Sequence, residues 1–187
     1  MKPTFVALAF LAAIAAGPRA RAADEREWQL GVNIGAASVT ADARSTWGFA
    51  AALNAEYGLT DAWALRADLG TSLHSVSSSG SSDTRPTGTL EAGTALAGVE
   101  YTIDVLRLLP YANLELGALQ LAGAVQTPRV LFVAALGIGA DYFVTRQWKA
   151  GAHFQYLFAP FDLIAQAMSL GSSPYSFAVT VRVSRVF

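Results

Sequence analysis

Residues 140–158 read ADYFVTRQWKAGAHFQYLF, and the phase of this stretch decides the fold. Before a tight turn, Ile138, Ala140 and Tyr142 alternate with Gly137, Gly139 and Asp141. After it, Trp148, Ala150, Ala152, Phe154, Tyr156 and Phe158 alternate with Lys149, Gly151, His153 and Gln155. Successive side chains of a strand point to opposite faces, so the stretch predicts two strands with one greasy face and one polar face. Rings stand at both ends of the greasy face, Tyr142 and Trp148 at the turn, Tyr156 and Phe158 at the far end. A soluble sheet buries its greasy face. A strand that crosses a bilayer turns that face to lipid and anchors it with aromatics at both interfaces. The pattern here is the second kind.

The remaining chain repeats the theme. It has 187 residues, enough for one domain, and is 53% hydrophobic and 14% charged, against about 25% charged in ordinary soluble domains. No run reaches the roughly 18 apolar residues of a spanning helix; the closest, Val130 to Val144, is broken by Asp141. A greasy chain without such helices must bury its apolar surface or turn it outward as a barrel. The absence of cysteine removes disulfide, thiolate and Cys-ligated metal readings together. A net charge of −1 gives no footing for a nucleic-acid partner.

At the N-terminus, Lys2, the apolar run Phe5 to Ala16, the breaker Gly17-Pro18 and the site Ala20-Arg21-Ala22 predict a secretory signal cleaved after Ala22. A single anchoring helix fits less well, because the apolar run is too short. Residues 1–22 are then the signal peptide and 23–187 the mature domain. Removing Lys2, Arg19 and Arg21 leaves a charge of 10 − 14 = −4.

Six further strands are predicted by alternation. Trp28 to Val39 sets Trp28, Leu30, Val32 and Ile34 against Gln29, Gly31 and Asn33. After a loop at Ala41 to Thr46, Trp47, Phe49, Leu53 and Tyr57 oppose Asn54 and Glu56. A turn at Leu59–Ala62 leads to Trp63, Leu65 and Leu69 against Arg66, Asp68 and His74. The segment Ser75 to Gly88 is Ser-rich and reads as a polar loop. Leu90 to Ile103 follows with Ala95, Val99 and Tyr101 against Thr94, Gly98 and Glu100. Glu91 has the wrong parity for lipid, which predicts a place above the membrane or beside a bulge. After a turn at Asp104–Leu109, Ala112 to Ala118 sets Leu114 and Leu116 against Asn113 and Glu115. Leu121 to Arg129 reads as a loop, and so does Ala159 to Pro174 with its apolar middle. The last strand runs from Tyr175 through Phe177, Val179, Val181 and Val183, with Arg182 on the other face, to Phe187.

The result is all-β: an antiparallel eight-stranded transmembrane β-barrel of up-and-down topology, with strands of about ten residues, the length a tilted membrane strand needs. Alternate connections are short, as expected of periplasmic turns. Tyr57-Gly-Leu-Thr-Asp-Ala-Trp63 and Tyr142-Phe-Val-Thr-Arg-Gln-Trp148 are one turn written twice.

With its leader, its paired Tyr-x-(Leu/Val)-Thr-x-x-Trp hairpins and its terminal aromatic strand, the chain resembles the small eight-stranded outer-membrane barrels of the OmpA/OmpX type, with the OmpW type as second choice. The resemblance covers the whole mature chain. It implies a Gram-negative outer-membrane location, both termini periplasmic, contact with outer-membrane lipid and lipopolysaccharide, and a monomer. It also implies that the C-terminal strand ending on Phe187 is the signal read by the barrel-assembly machinery; Arg185 departs from that pattern and is expected to snorkel to the interface. The chain ends at Phe187, so the peptidoglycan-binding domain of two-domain members is not expected. This fold hosts several activities.

The expected interface girdle is Trp28, Trp47, Tyr57, Trp63, Tyr101, Tyr142, Trp148, Tyr156, Phe158 and Tyr175. The expected lumen charge network is Glu56, Arg66, Asp68, Glu100, Glu115, Asp141, Lys149, His153 and Arg182, because lipid-facing Arg or Lys at the midplane costs roughly 2–4 kcal/mol. If Tyr142 pairs with Trp148, Asp141 falls opposite Lys149, and the same register puts Glu56 diagonal to Arg66. Glu100 and Glu115 would sit side by side and need a shared cation or proton, with Arg66 or Arg182 the candidate cation.

Three functions follow. The first is a non-enzymatic envelope barrel with a side-chain-plugged lumen, acting in envelope integrity or in surface contact through the loops 75–88 and 159–174. The second is a narrow pore or transporter of small or apolar compounds. The third is a lipid A-modifying enzyme built on His74 with Ser72, Ser75 or a serine of the following loop. No catalytic residue, cofactor or metal ligand is assigned. A soluble lipocalin-like barrel is the structural alternative; paired rings at strand ends and the charged opposite face argue against it.

Overall fold

The computed structural model describes residues 26–41, 44–77, 87–103, 108–160 and 175–187. The signal-peptide expectation and most of the two long loops lie outside them. Eight strands form: β1 (Trp28–Ala41), β2 (Arg44–Gly58), β3 (Trp63–Val76), β4 (Gly88–Thr102), β5 (Leu108–Gly123), β6 (Arg129–Phe143), β7 (Trp148–Phe158) and β8 (Tyr175–Val186). Each pairs antiparallel with its chain neighbour, and β8 pairs with β1, so the sheet is a closed up-and-down barrel with no free edge.

The register fixes the strand tilt. Followed strand to strand from Trp28, paired residues run Tyr57, Leu65, Val99, Leu114, Leu136, Tyr156 and Phe177, and return to β1 at Ser38. The stagger is therefore 38 − 28 = 10 residues. Such a stagger goes with strands tilted by about 35–45°. Ten residues along a strand so tilted rise about 25 Å, the height of an outer-membrane apolar band.

The rings obey that spacing. Trp47 and Tyr57 on β2, Phe132 and Tyr142 on β6, and Trp148 and Phe158 on β7 each stand ten residues apart. At the short-turn rim Trp28 packs on its register partner Tyr57 at 5.0 Å, and Trp63 on Tyr101 at 4.9 Å. At the opposite rim Trp47 meets Phe177 edge-on at 5.0 Å, and Tyr156 lies 6.3 Å from Tyr175. Between the two belts the wall is aliphatic and exposed, with Leu69 and Val181 each 63% accessible. On β3 to β5 the upper belt is interrupted: the equivalent places hold Leu73, Glu91 and Ala122, which are register partners. Glu91 thus sits in an unbroken ladder and points outward at the level of the Trp47 ring. Of the two expected settings the bulge is absent; an exposed carboxylate at the level of the loop-rim aromatics fits the other.

Two sets of expected boundaries need correction. β2 starts at Arg44 rather than Trp47, and β5 spans Leu108–Gly123 rather than Ala112–Ala118, so the expected loop at Leu121–Arg129 shrinks to 124–128. The cause lies in the lumen. Near the loop rim the inward residues Leu90, Leu119, Leu121, Val133 and Leu157 are apolar and pack as one buried cluster with Val39, Val76 and Leu96. Both faces of the strands are then greasy, alternation loses its contrast, and a strand reads as irregular chain. Gly123, with φ 79°, ends β5 in the left-handed region open to glycine.

The turns also correct the expected pairing. In each repeated hairpin the threonine hydroxyl accepts from two amides: Thr60 from Ala62 and Trp63 (3.3 and 3.0 Å), Thr145 from Gln147 and Trp148 (3.3 and 3.1 Å). The amides of Val144 and Thr145 both donate to the Trp148 carbonyl. This closes the hairpin at Phe143↔Lys149, so Tyr142 faces Ala150 and Asp141 faces Gly151, not Lys149. The same geometry in the first hairpin puts Glu56 directly opposite Arg66, not diagonal to it.

Candidate functional site: a charged layer across the lumen

The inward face of the barrel gathers its charge in the half nearer the short turns. Glu56, Arg66, Asp68, Glu100, Glu115, Asp141, Lys149, His153 and Arg182 all point inward and are buried. They come from β2 to β8, because alternate positions of every strand share the interior.

Two guanidinia hold five carboxyl groups. Arg66 Nε donates to Asp68 Oδ2 at 2.6 Å and lies 3.1 Å from Glu115 Oε1. Its NH1 donates to Glu56 Oε1 at 3.2 Å and Glu100 Oε2 at 2.5 Å, and its NH2 to Asp68 Oδ1 at 3.3 Å. Arg182, from the opposite wall, donates through NH2 to Glu56 and through NH1 to Glu100 at 3.5 Å, and its Nε lies 3.5 Å from Asp141 Oδ2. Both side chains are fully buried. The planar five-donor fork suits this use, since it serves several acceptors at once without losing its charge. Glu100 and Glu115 are offset rather than side by side, because Glu100 pairs with Asn113 and Glu115 with Gly98; Arg66 serves both. Lys149 stands apart, donating to Gln29 at 2.7 Å and lying 5.0 Å from the Phe143 ring.

Sequence reasoning missed Tyr111. It lies just outside the expected strand Ala112–Ala118, next to Pro110, yet its ring fills the lumen beside both guanidinia, 5.0 Å from Arg182 and 5.9 Å from Arg66, and 5.8 Å from the His153 ring. The signal was present as phase: Tyr111, Asn113 and Glu115 are successive inward positions. Glycines across the lumen make the room. A Cβ at Gly139 would strike the Tyr111 ring, and one at Gly137 would strike Asn113 and, at 2.5 Å, His153 Nε2. His153 is held beside Asn113 (3.4 Å).

Above this layer lies a chamber of about 60 Å³. Asp68, Asn33 and His153 form its lower wall, and Ser72, Gln155, Ser176 and Leu157 stand farther up. The apolar cluster stands beyond it toward the loop rim.

His74 and Ser72 do meet. Nδ1 of His74 donates to the Thr46 carbonyl at 3.1 Å, which leaves Nε2 to accept from the Ser72 hydroxyl at 2.8 Å. Both side chains are buried against the inner wall. Among the described residues a backbone carbonyl, not a carboxylate, orients the imidazole. Among the described residues no group of three or more His, Asp or Glu side chains is placed to hold a metal ion.

The residues of the expected girdle point outward, most of them well exposed. Arg185 shares their face but lies between the Trp148 ring (5.8 Å) and the Phe187 ring (5.0 Å). The Phe187 amide donates to the Trp28 carbonyl at 2.8 Å, which ties the chain end into the β8–β1 seam.

Comparison with known proteins fits this architecture. The sequence profile described as "Outer membrane protein beta-barrel domain" matches residues 6–182. Among solved structures, Neisserial surface protein A superposes with a TM-score of 0.59 at 18% identity, covering 86% of this chain and 97% of that one. Ail, the attachment invasion locus protein of Yersinia pestis, gives 0.55 at 15%, covering 87% and 99%. The outer membrane protein OprG of Pseudomonas aeruginosa gives 0.59 at 12%, covering 88% and 98%. No curated protein sequence matches.

Proposed function

This chain belongs to the outer-membrane β-barrel family, and from that premise we propose that it is a non-enzymatic integral protein of the outer membrane whose lumen is closed by its own side chains. The observation that carries the reading is the Arg66–Tyr111–Arg182 layer, in which two guanidinia, one ring and five carboxyl groups meet across the bore. An eight-stranded barrel is just wide enough for side chains to fill. A closed lumen moves the function outward, to envelope integrity and to surface contact through the loops 75–88 and 159–174. The name of one structural neighbour, an attachment invasion locus protein, is in keeping with contact. On this reading the protein is a monomer in lipid and lipopolysaccharide, with both termini and the two Thr-centred turns in the periplasm. Its terminal strand to Phe187 serves the assembly machinery.

The test is single-channel recording of the refolded mature protein in a planar bilayer, after protease protection has shown insertion. Silence is expected; discrete openings would overturn the closed lumen. The chamber above the charged layer favours the narrow pore as the second reading, because among the described residues it is open space between that layer and the apolar cluster. Against the enzyme reading, the Ser72–His74 bond is buried against the inner wall, and a backbone carbonyl rather than a carboxylate receives the other imidazole nitrogen. His74→Ala is expected to leave the cell's lipid A pattern unchanged, and an altered pattern would revive it.

A further inference from the structure

The charged layer does not balance. Its carboxyl groups are Glu56, Asp68, Glu100, Glu115 and Asp141, and its cations are Arg66, Arg182 and Lys149, a sum of 3 − 5 = −2. All are buried in a membrane-spanning bore, where uncompensated charge is expensive. The shortfall is sharpest at Glu115. This side chain is 0% exposed. Its Oε1 takes the Asn113 amide and the edge of Arg66, while its Oε2 finds no donor at all. Its neighbour in space is another carboxyl group: Asp68 and Glu115 converge on the same Arg66 Nε, at 2.6 and 3.1 Å.

Two carboxylates crowded onto one donor offer each other only acceptors, and a shared proton relieves both their repulsion and the orphaned oxygen. We infer that Asp68 and Glu115 form a proton-binding site in the lumen, with one proton on Glu115 donated to Asp68. Glu115 is the carrier because both Asp68 oxygens already accept from Arg66, at 2.6 and 3.3 Å, whereas Glu115 Oε2 is unpartnered. The proton turns that orphan acceptor into a donor and halves the charge excess. Among the described residues no donor reaches Oε2, and the Tyr111 hydroxyl, itself unpartnered, does not bond it either. β3 supplies Arg66, already committed to four carboxyl groups; β2 and β4 supply Glu56 and Glu100, both acceptors; β5 supplies Asn113, bound to Oε1. Farther off, Arg182 of β8 serves Glu56, Glu100 and Asp141 of β6, His153 of β7 meets Asn113, and Lys149 is held by Gln29.

The test is infrared spectroscopy of the full mature barrel refolded in lipid vesicles at neutral pH, comparing wild type with Glu115→Gln and Asp68→Asn. The wild type is expected to show a protonated-carboxyl carbonyl band that shifts in D2O, lost in both variants. Glutamine keeps the donor of the protonated acid without its charge, so Glu115→Gln is expected to keep the wild-type urea midpoint. If a variant fails to refold, wild type grown on carbonyl-labelled glutamate gives the same answer: the band moves with the label. A wild type without the band overturns the proposal, and so does a band that survives Glu115→Gln. A missing band with a midpoint that falls when sodium and potassium are replaced by choline would assign the site to an alkali cation instead, which also overturns it.

Discussion

Replacing Arg66 with methionine tests the charged layer most directly. The arginine side chain is fully buried and touches four carboxyl groups at 2.5 to 3.3 Å. Methionine fills much of the volume but supplies no charge, so Asp68 and Glu115 lose the cation they converge on, and Glu56 and Glu100 keep only Arg182. Breaking a buried ion pair by removing one partner costs roughly 3–5 kcal/mol, because the remaining charge stays desolvated. With several acids stranded by one deletion, the upper end of that range is expected, about 5 kcal/mol. Urea titration in lipid vesicles, followed by tryptophan fluorescence and by the gel mobility of the folded barrel, reads the change. Adding Asp68→Asn, which removes the charge most directly stranded, should return on the order of 1–3 kcal/mol, the usual coupling of residues in one network. Lysine in place of Arg66 should fall between, since a point charge cannot serve four acceptors at once. A methionine variant with the wild-type midpoint would refute the claim that this arginine holds the layer together.

Other sites separate the remaining parts of the reading. Gly139→Val pushes a side chain into the Tyr111 ring and should cost about 1–3 kcal/mol by overpacking in the same urea titration. Leu119→Ala opens a hole in the apolar cluster near the loop rim and should cost about 2–5 kcal/mol, whereas a lumen wet at that level would tolerate it. Val181→Arg, on the exposed wall, should cost roughly 2–4 kcal/mol in vesicles; no effect there would mean that this face does not meet lipid.

How much of this could be read from the chain differs by feature. Period-two alternation named the inward and outward residue of nearly every strand where the faces contrast, as in β7 and β8. It failed where they do not: Leu119 and Leu121 hid the end of β5 because the inner face is apolar there, and Pro110 hid Tyr111. Register failed for another reason. Four turn residues and two amides on the Trp148 carbonyl set which residue faces which, and a two-residue difference in register, which leaves the faces unchanged, moved Lys149 away from Asp141.

By itself, then, the sequence determined the class of fold, the two faces of the sheet and the set of side chains sent inward, because each depends on neighbours one or two residues away. Only the tertiary structure decided which of them meet. Arg182 finds Glu56 across a separation of 126 residues, Arg66 gathers acids from β2, β3, β4 and β5, and Tyr111 stands beside both guanidinia. Those contacts follow from closure of the barrel with its ten-residue stagger, which brings strands distant in the chain to one level of a bore only a few side chains wide.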